Sequence, residues 1–92
     1  MDKQSFLSVW DAIEDTQIEA SSMKARAELM IKISEVIDKM NTTQAKAAKR
    51  LGVTQPRLND LLKGKIDRFS LDALFDIATR AGIEIKIKLK AA

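Results

Sequence analysis

The sequence predicts an all-α domain of four to five helices that ends in one β-strand. Ninety-two residues suffice for one modest core and leave no room for a second. Apolar residues recur at helical spacing, and the later helical segments each follow a Thr or Ser and end near a Gly. Residues 83–90 alternate instead between apolar and charged side chains. We therefore expect residues 1–92 to form a single domain.

The two parts of the chain differ in charge. Residues 1–40 carry five Lys/Arg and eight Asp/Glu, giving −3, whereas residues 41–92 carry eleven and five, giving +6. A basic half suits a polyanion such as nucleic acid, although basic surface is also commonly just solvated surface.

Cysteine and histidine are both absent, which excludes disulfides, thiolate and imidazole metal sites and the commonest general base. We expect no cofactor, no metal and no enzymatic activity, because paired carboxylates do not stand out from a solvated helix face either. The sequence shows no signal-peptide pattern and no apolar run long enough to span a membrane. We expect a cytoplasmic protein without a membrane partner.

The first predicted element is a long amphipathic helix over residues 23–40, after an N-terminal arm. Its apolar residues fall three or four apart, as on one helix face: Met23, Ala27, Met30, Ile33, Ile37 and Met40. The apolar residues of the arm are less regular: Phe6, Leu7, Val9, Trp10 and Ile13. They fit either a short helix or an extended segment that docks on the core.

Two short helices are predicted next. Asn41, Thr42 and Thr43 supply cap residues for a helix from Gln44 to Leu51, which ends at Gly52, the residue type favoured where a helix closes in a left-handed conformation. Thr54 is placed to cap the following helix, which ends at Gly64. Pro56 is tolerated in its first turn, because N–H groups there have no partner within the helix.

A supporting helix and a strand complete the chain. Ser70 is placed to cap a helix over residues 71–81, which Gly82 stops. The strict alternation of residues 83–90 predicts a strand that buries Ile83, Ile85, Ile87 and Leu89 on one face.

A lone strand leaves its N–H and C=O groups open along both edges. It could pair with the segment from Phe6 to Trp10, or with a second copy across a two-fold axis. Antiparallel self-pairing centred on Lys86 sets Glu84 opposite Lys88, which is favourable, and Lys86 opposite itself, which is not. We favour the homodimer.

The stretch "TQAKAAKRLGVTQPRLNDLLKGK", residues 43–65, carries the strongest functional signal. Its spacing suits two short helices joined by a tight turn: a small Ala48 at the crossing, Gly52 at the turn, and Val53, Leu58 and Leu62 buried under the second helix. This spacing is typical of a helix-turn-helix, which holds the start of its second helix out from the body so that it can enter a major groove. Gln55, Arg57 and Asn59 crowd that start.

The same stretch resembles the helix-turn-helix of the Xre and lambda-repressor-like family, from Thr43 to about Gly64 and plausibly through Ala81. The resemblance implies a lambda-repressor-like bundle that binds double-stranded operator DNA as a homodimer. The positions that face DNA bases in the family are occupied here by Gln55, Pro56, Arg57 and Asn59, and the positions that contact or approach the DNA backbone by Thr43, Gln44, Thr54, Lys63 and Lys65. Pro56 departs from the polar or small residue common in the family and removes one hydrogen-bonding group.

The N-terminal stretch "SVWDAIEDTQIEASSMKARAELM" further resembles short Xre-family regulators that act as antitoxins of the HigA type. That resemblance implies an autorepressor of its own operon that also silences a toxin similar to RelE or HigB. A toxin that cleaves RNA must present a basic surface, and an acidic arm could cover it. The candidate toxin contacts are Trp10, Asp11, Glu14 and Asp15.

Other interpretations of these residues remain open. Lys46, Lys49 and Arg50 suit a charged outer helix face as well as they suit phosphate contacts. Asp60 is expected to be solvated or paired with Lys63. A protein-interaction module could use the helix-turn-helix as a scaffold and pair its strand with a partner's sheet.

Overall fold

The chain folds into four α-helices and one 3₁₀ turn in a computed structural model, which describes the backbone of residues 3–91 and the side chains of residues 19–91. The elements are α1 (Lys3–Met40), α2 (Gln44–Leu51), α3 (Gln55–Leu62), the 3₁₀ turn (Ile66–Arg68) and α4 (Leu71–Arg80). Helix α1 includes both the predicted long helix and the arm before it, so the extended alternative for residues 6–13 is wrong.

One apolar core lies between α1 and the shorter helices. Helix α1 packs against α3, α4 and the 3₁₀ turn, while α2 packs against α3 and α4. The buried residues come from all four helices and from Phe69 and Ala81 beside them: Met30, Ile33, Ala47, Ala48, Leu51, Leu58, Leu61, Phe69, Leu74, Ile77, Ala78 and Ala81. The predicted helix face of α1 therefore reaches the core through Met30 and Ile33, but Met23 is 44% exposed, because it lies beyond the shorter helices.

The three shorter helices begin as the sequence predicts. The hydroxyl oxygens of Thr43, Thr54 and Ser70 accept hydrogen bonds from the amides of Lys46, Arg57 and Ala73. Each cap satisfies one of the N–H groups that a helix start leaves without a partner.

The turn between α2 and α3 closes as predicted at Gly52. Gly52 has φ +70°, and the amide of Val53 donates to the carbonyl of Ala48 at 3.0 Å. A positive φ strains any residue that has a Cβ, so glycine is favoured here. The turn brings the N-terminal ends of α2 and α3 to the same side of the domain, as the lining of a shared depression shows.

Residues 83–90 follow the core but form no strand ladder with any other segment of the described backbone, 3–91. Ile83 and Ile85 are half-buried against the core, whereas Glu84 and Lys86 are exposed. This alternation is the one predicted for residues 83–86, whereas Ile87 and Leu89, which were predicted to be buried on the same face, are 66% and 93% exposed in the single chain. Pairing with residues 6–10 is excluded, because those residues belong to α1, and pairing with a second copy stays a prediction.

Candidate nucleic-acid interface

The N-terminal ends of α2 and α3 meet at a shallow open depression. Its lining consists of Gln44 from the first residue of α2 and Gln55, Pro56 and Asn59 from the first turns of α3. We call these four residues the reading surface. Gln55 and Asn59 present amide groups that both donate and accept hydrogen bonds, which is the chemistry needed to recognise base edges. The amide of Gln44 can donate in the same way to a phosphate oxygen.

The caps of α2 and α3 flank the reading surface with further donors. Thr43 and Thr54 are exposed, and each hydroxyl oxygen accepts one backbone N–H at 3.2 Å. A hydroxyl that accepts in this way keeps its own O–H to donate, for example to a phosphate oxygen.

The electrostatics of this region favour an anion. Five Lys/Arg and no Asp/Glu lie between residues 39 and 59. The first turns of α2 and α3 contain no acidic residue, whereas α4 has Asp72 in its first turn. The positive ends of the α2 and α3 dipoles therefore remain without a nearby negative side chain on their own helix. Lys46, Lys49 and Arg50 are exposed on α2.

Arg57 lies beside the reading surface but points back to the protein. Its guanidinium carbon lies 4.4 Å from the centroid of the Phe69 ring, and Nη1 donates to the carbonyl of Arg68 at 3.3 Å. To contact a base, Arg57 must break both of these interactions. The cation–π contact alone contributes about 0.5–1 kcal/mol at exposed sites, so breaking it has a cost of that size.

The connection after α3 carries a second group of charges around Asp60. Its two carboxylate oxygens contact Lys65 Nζ at 3.3 Å and Arg68 Nη1 at 3.1 Å. Partial burial alone would raise the pKa of Asp60, but the hydrogen bonds and charges of Lys65 and Arg68 together hold that pKa below its ordinary value of 3.8. Asp60 thus pairs with Lys65 and Arg68 across the connection, and not with Lys63 as the sequence had suggested.

The structure therefore brings together some of the predicted DNA contacts and separates others. Gln44, Gln55, Pro56 and Asn59 share one surface. Lys63 and Lys65 are exposed beyond the other end of α3, where Lys65 is tied to Asp60.

A further residue, Arg26 of α1, was not among those predicted from the sequence. Its guanidinium donates to the carbonyls of Ile66 and Phe69 at 3.4 and 3.3 Å and so holds the 3₁₀ turn. An arginine among the apolar positions of α1 was the available signal, but its partners lie forty and forty-three residues away.

Two other sets of predicted residues lie elsewhere. Ile83 and Ile85 pack on the core, while Ile87 and Leu89 are exposed by 66% and 93%. The candidate toxin contacts Trp10, Asp11, Glu14 and Asp15 belong to α1, but their side chains lie outside the described residues.

A family of helix-turn-helix domains matches residues 12–90. The chain belongs to this family. The helix-turn-helix domain is also similar to a solved structure assigned to the XRE family of transcriptional regulators, with 27% sequence identity, a TM-score of 0.74, and coverage of 80% of this chain and 83% of that one. No curated protein matches it.

The family match starts within α1 and continues through residues 83–90. The helix-turn-helix domain therefore includes most of the long helix and the predicted strand as well as α2 and α3. Among the described residues, no helix is long and apolar enough to cross a membrane, and no three His, Cys, Asp or Glu side chains are grouped to hold a metal ion.

Proposed function

We propose that this helix-turn-helix protein is a sequence-specific DNA-binding transcriptional regulator that acts by binding and not by catalysis. The observation that carries the proposal is the reading surface, where Gln44, Gln55, Pro56 and Asn59 converge at the open ends of two capped helices. An α-helix fits the major groove, and Gln or Asn pairs with adenine through two hydrogen bonds.

The proposed contacts fall into two classes. Gln55, Pro56, Arg57 and Asn59 face base edges, with Arg57 suited to guanine once it leaves Phe69, and Pro56 suited to a thymine methyl group. Thr43, Gln44, Thr54, Lys63 and Lys65 contact or approach the backbone, which fixes register without reading sequence.

A DNA titration tests the proposal. The protein is titrated into labelled DNA from just upstream of its own gene and into random DNA, at several salt concentrations. We expect tighter binding to the upstream DNA and an affinity that falls with salt, by about 0.9 in the logarithmic slope for each phosphate contacted.

Two variants make this test specific. Lys65→Ala should weaken binding to all sequences and reduce the salt slope by about one. Lys24→Ala is the matched control, because Lys24 is an exposed cation on α1, away from α2 and α3. Absence of salt-dependent binding would contradict the proposal and favour a protein-interaction module that uses the same fold as a scaffold.

We further propose that the regulator is the autorepressing antitoxin of a type II toxin–antitoxin pair, in the bacterial cytoplasm at the nucleoid. The resemblance of residues 8–30 to HigA-type antitoxins supports this role, as does the net charge of −3 on residues 1–40, which suits a basic RNA-cleaving partner.

Co-expression with the product of the adjacent gene tests the antitoxin role. We expect that product to co-purify and to inhibit growth when it is expressed alone. Reversing the charges of Asp11, Glu14 and Asp15 should release it without changing DNA affinity. Failure of the adjacent product to bind at all would leave a DNA-binding regulator without a toxin.

The regulator is also proposed to be a homodimer that pairs residues 83–90 across a two-fold axis. The open backbone of this segment and the exposure of Ile87 and Leu89 support the proposal. Light scattering should give a mass near twice 10.3 kDa; a mass that stays at one chain at micromolar concentration would contradict it.

A further inference from the structure

We propose that α1 forms part of the dimer interface, because a groove between α1 and residues 83–86 is shaped to receive Ile87 and Leu89 of a second copy. The inference rests on the homodimer proposed above and adds where the second strand lies, in which register it pairs and which helix it covers.

The groove is lined by apolar side chains from three elements, together with charged residues that include Glu28, Lys32 and Glu35 of α1. Leu29 and Ile31 come from α1, Phe75 from α4, and Ile83 and Ile85 from the C-terminal segment. We call this surface the dimer groove. Ile31 is 60% exposed, so an isolated chain leaves a large apolar side chain in water at the edge of the groove.

The same chain exposes the side chains that would fill the groove. Ile87 is 66% and Leu89 is 93% exposed. Both share the parity of Ile83 and Ile85, so in an extended segment all four side chains project to one face. The apolar face of the segment thus extends beyond the core that buries its first half.

A register centred on Lys86 brings the two sets together. It places Ile87 of the second copy beside Ile85, and Leu89 of the second copy beside Ile83. Ile83 and Ile85 line the dimer groove, and directly opposed side chains lie about 5 Å apart. The arriving side chains therefore lie next to the groove, over Ile31. Two-fold symmetry repeats each of these contacts.

The outer face of the pair is compatible with this register. Glu84 lies opposite Lys88 of the second copy, twice. Lys86 lies opposite itself, but Lys86 and Glu84 side chains are 80% and 81% exposed. Repulsion between such exposed charges is small at physiological salt. Shifting the pairing of the two strands by one residue would place Ile87 and Leu89 on the solvent face. Registers that differ from this one by an odd number of residues are therefore excluded.

Single-cysteine variants test the register, since the natural chain has no cysteine. Lys86→Cys should form a disulfide-linked dimer under mild oxidation, because the two copies of position 86 face each other. Glu84→Cys is the matched control, since position 84 lies opposite 88 and its two copies are about 13 Å apart along the strands. A mixture of Glu84→Cys and Lys88→Cys should again cross-link. Equal cross-linking at 84 and 86 would overturn the register.

Ile31→Asp tests the role of α1. It should raise the dimer dissociation constant at least about tenfold, because a carboxylate would be buried against the second copy. Met23→Asp is the control, because Met23 is an exposed apolar residue of α1 outside the groove. Both variants should keep the helical circular dichroism of the wild type. Equal dimer constants for the two variants would overturn the inference.

DNA binding separates this inference from the proposed function. Monomeric Ile31→Asp should still bind DNA weakly, with a smaller salt slope, because each copy keeps its own reading surface. If the wild type binds no DNA but Lys86→Cys cross-links, the proposed DNA-binding function is wrong and the dimer register is supported. If the wild type binds operator DNA and Lys86→Cys does not cross-link, the proposed use of the dimer groove is wrong and the proposed DNA-binding function is supported.

Discussion

Arg57 shows how one side chain can serve folding and recognition in turn. In the free protein its guanidinium covers Phe69, which is 1% exposed, and bonds to the carbonyl of Arg68. Gln55 of the same helix is exposed. Both residues are proposed to contact bases. Among the described side chains, only Arg57 of the two must first break contacts within its own chain.

Substitution of Arg57 by alanine should therefore have two effects. The melting temperature should fall, because the contact with Phe69 and the bond to Arg68 are lost. Operator affinity should fall by about 1–3 kcal/mol, with relaxed specificity at one base position. Gln55→Ala should change base preference with little change in melting temperature. Equal losses on operator and random DNA for Arg57→Ala would contradict the base-reading role of Arg57.

Asp60 should make stability depend on pH in the acid range. Because the folded-state pKa of Asp60 is lowered, its ion pairs stabilise the folded state above the unfolded pKa near 3.8. This stabilisation is lost as pH falls through the lowered folded pKa. Melting temperatures of Asp60→Asn should therefore differ from those of the wild type at pH 6 and approach them in strong acid. Asp67→Asn, in the same connection, is the control, and a difference that persists in strong acid would argue against the ion pairs.

At the scale of elements, the turn between α2 and α3 is covered by α4. The guanidinium of Arg80 lies over Gly52, where an added Cβ would collide with it, whereas a Cβ on Gly64 would meet open space. Arg80 is also held by Asp76 at 3.2 Å. The end of α4 thus packs across the turn that sets the position of α3.

Gly52→Ala should be more destabilising than Gly64→Ala. Both residues have positive φ, +70° and +72°, so each substitution should cost about 1–2 kcal/mol in backbone strain. Gly52→Ala must also displace the end of the Arg80 side chain, which is flexible and half-exposed, so the additional cost should be small. Chemical denaturation measures the two costs, and they should become equal in an Arg80→Ala background. A difference that survives removal of Arg80 would point to another cause.

At the scale of the whole molecule, a two-fold dimer sets the spacing of its operator. Two copies of α3 should meet half-sites about 34 Å apart, one turn of DNA or a multiple of it. Inserting five base pairs between half-sites should reduce dimer affinity to that for a single half-site, because it rotates one half-site to the opposite side of the duplex. Inserting ten base pairs should restore part of the lost affinity, because both half-sites then lie on the same side of the duplex. Tight binding at every spacing would indicate independently acting copies.

The parts of this fold that can be predicted from the sequence are those determined by contacts between residues close together in the chain. The caps at Thr43, Thr54 and Ser70 bond to residues three positions on, and Gly52 closes its own helix. The reading surface follows from these ends, because the turn fixes how α2 and α3 meet.

Contacts between distant residues left no such pattern. Arg57 and Arg68 are eleven positions apart, and Arg26 and Phe69 are forty-three apart. The irregular apolar spacing before Met23 could not distinguish a helix from an extended segment, although α1 includes these residues. Residues 83–90 show the alternation of a strand, but they form no ladder within the described chain, because alternation specifies which side chains share a face and not which backbone they pair with.

The caps of α2 and α3 imply a conflict between durability and recognition. Thr43 and Thr54 have nearly the same backbone angles, φ −73° and −74° with ψ 157° at both. Aspartate caps a helix start better than threonine and also complements its dipole. Thr54→Asp should therefore preserve or raise the melting temperature while it abolishes DNA binding, whereas Ser70→Asp should leave binding intact. Selection for thermal stability alone would therefore favour aspartate at residues 43 and 54, although its negative charge would be repelled by the DNA phosphates.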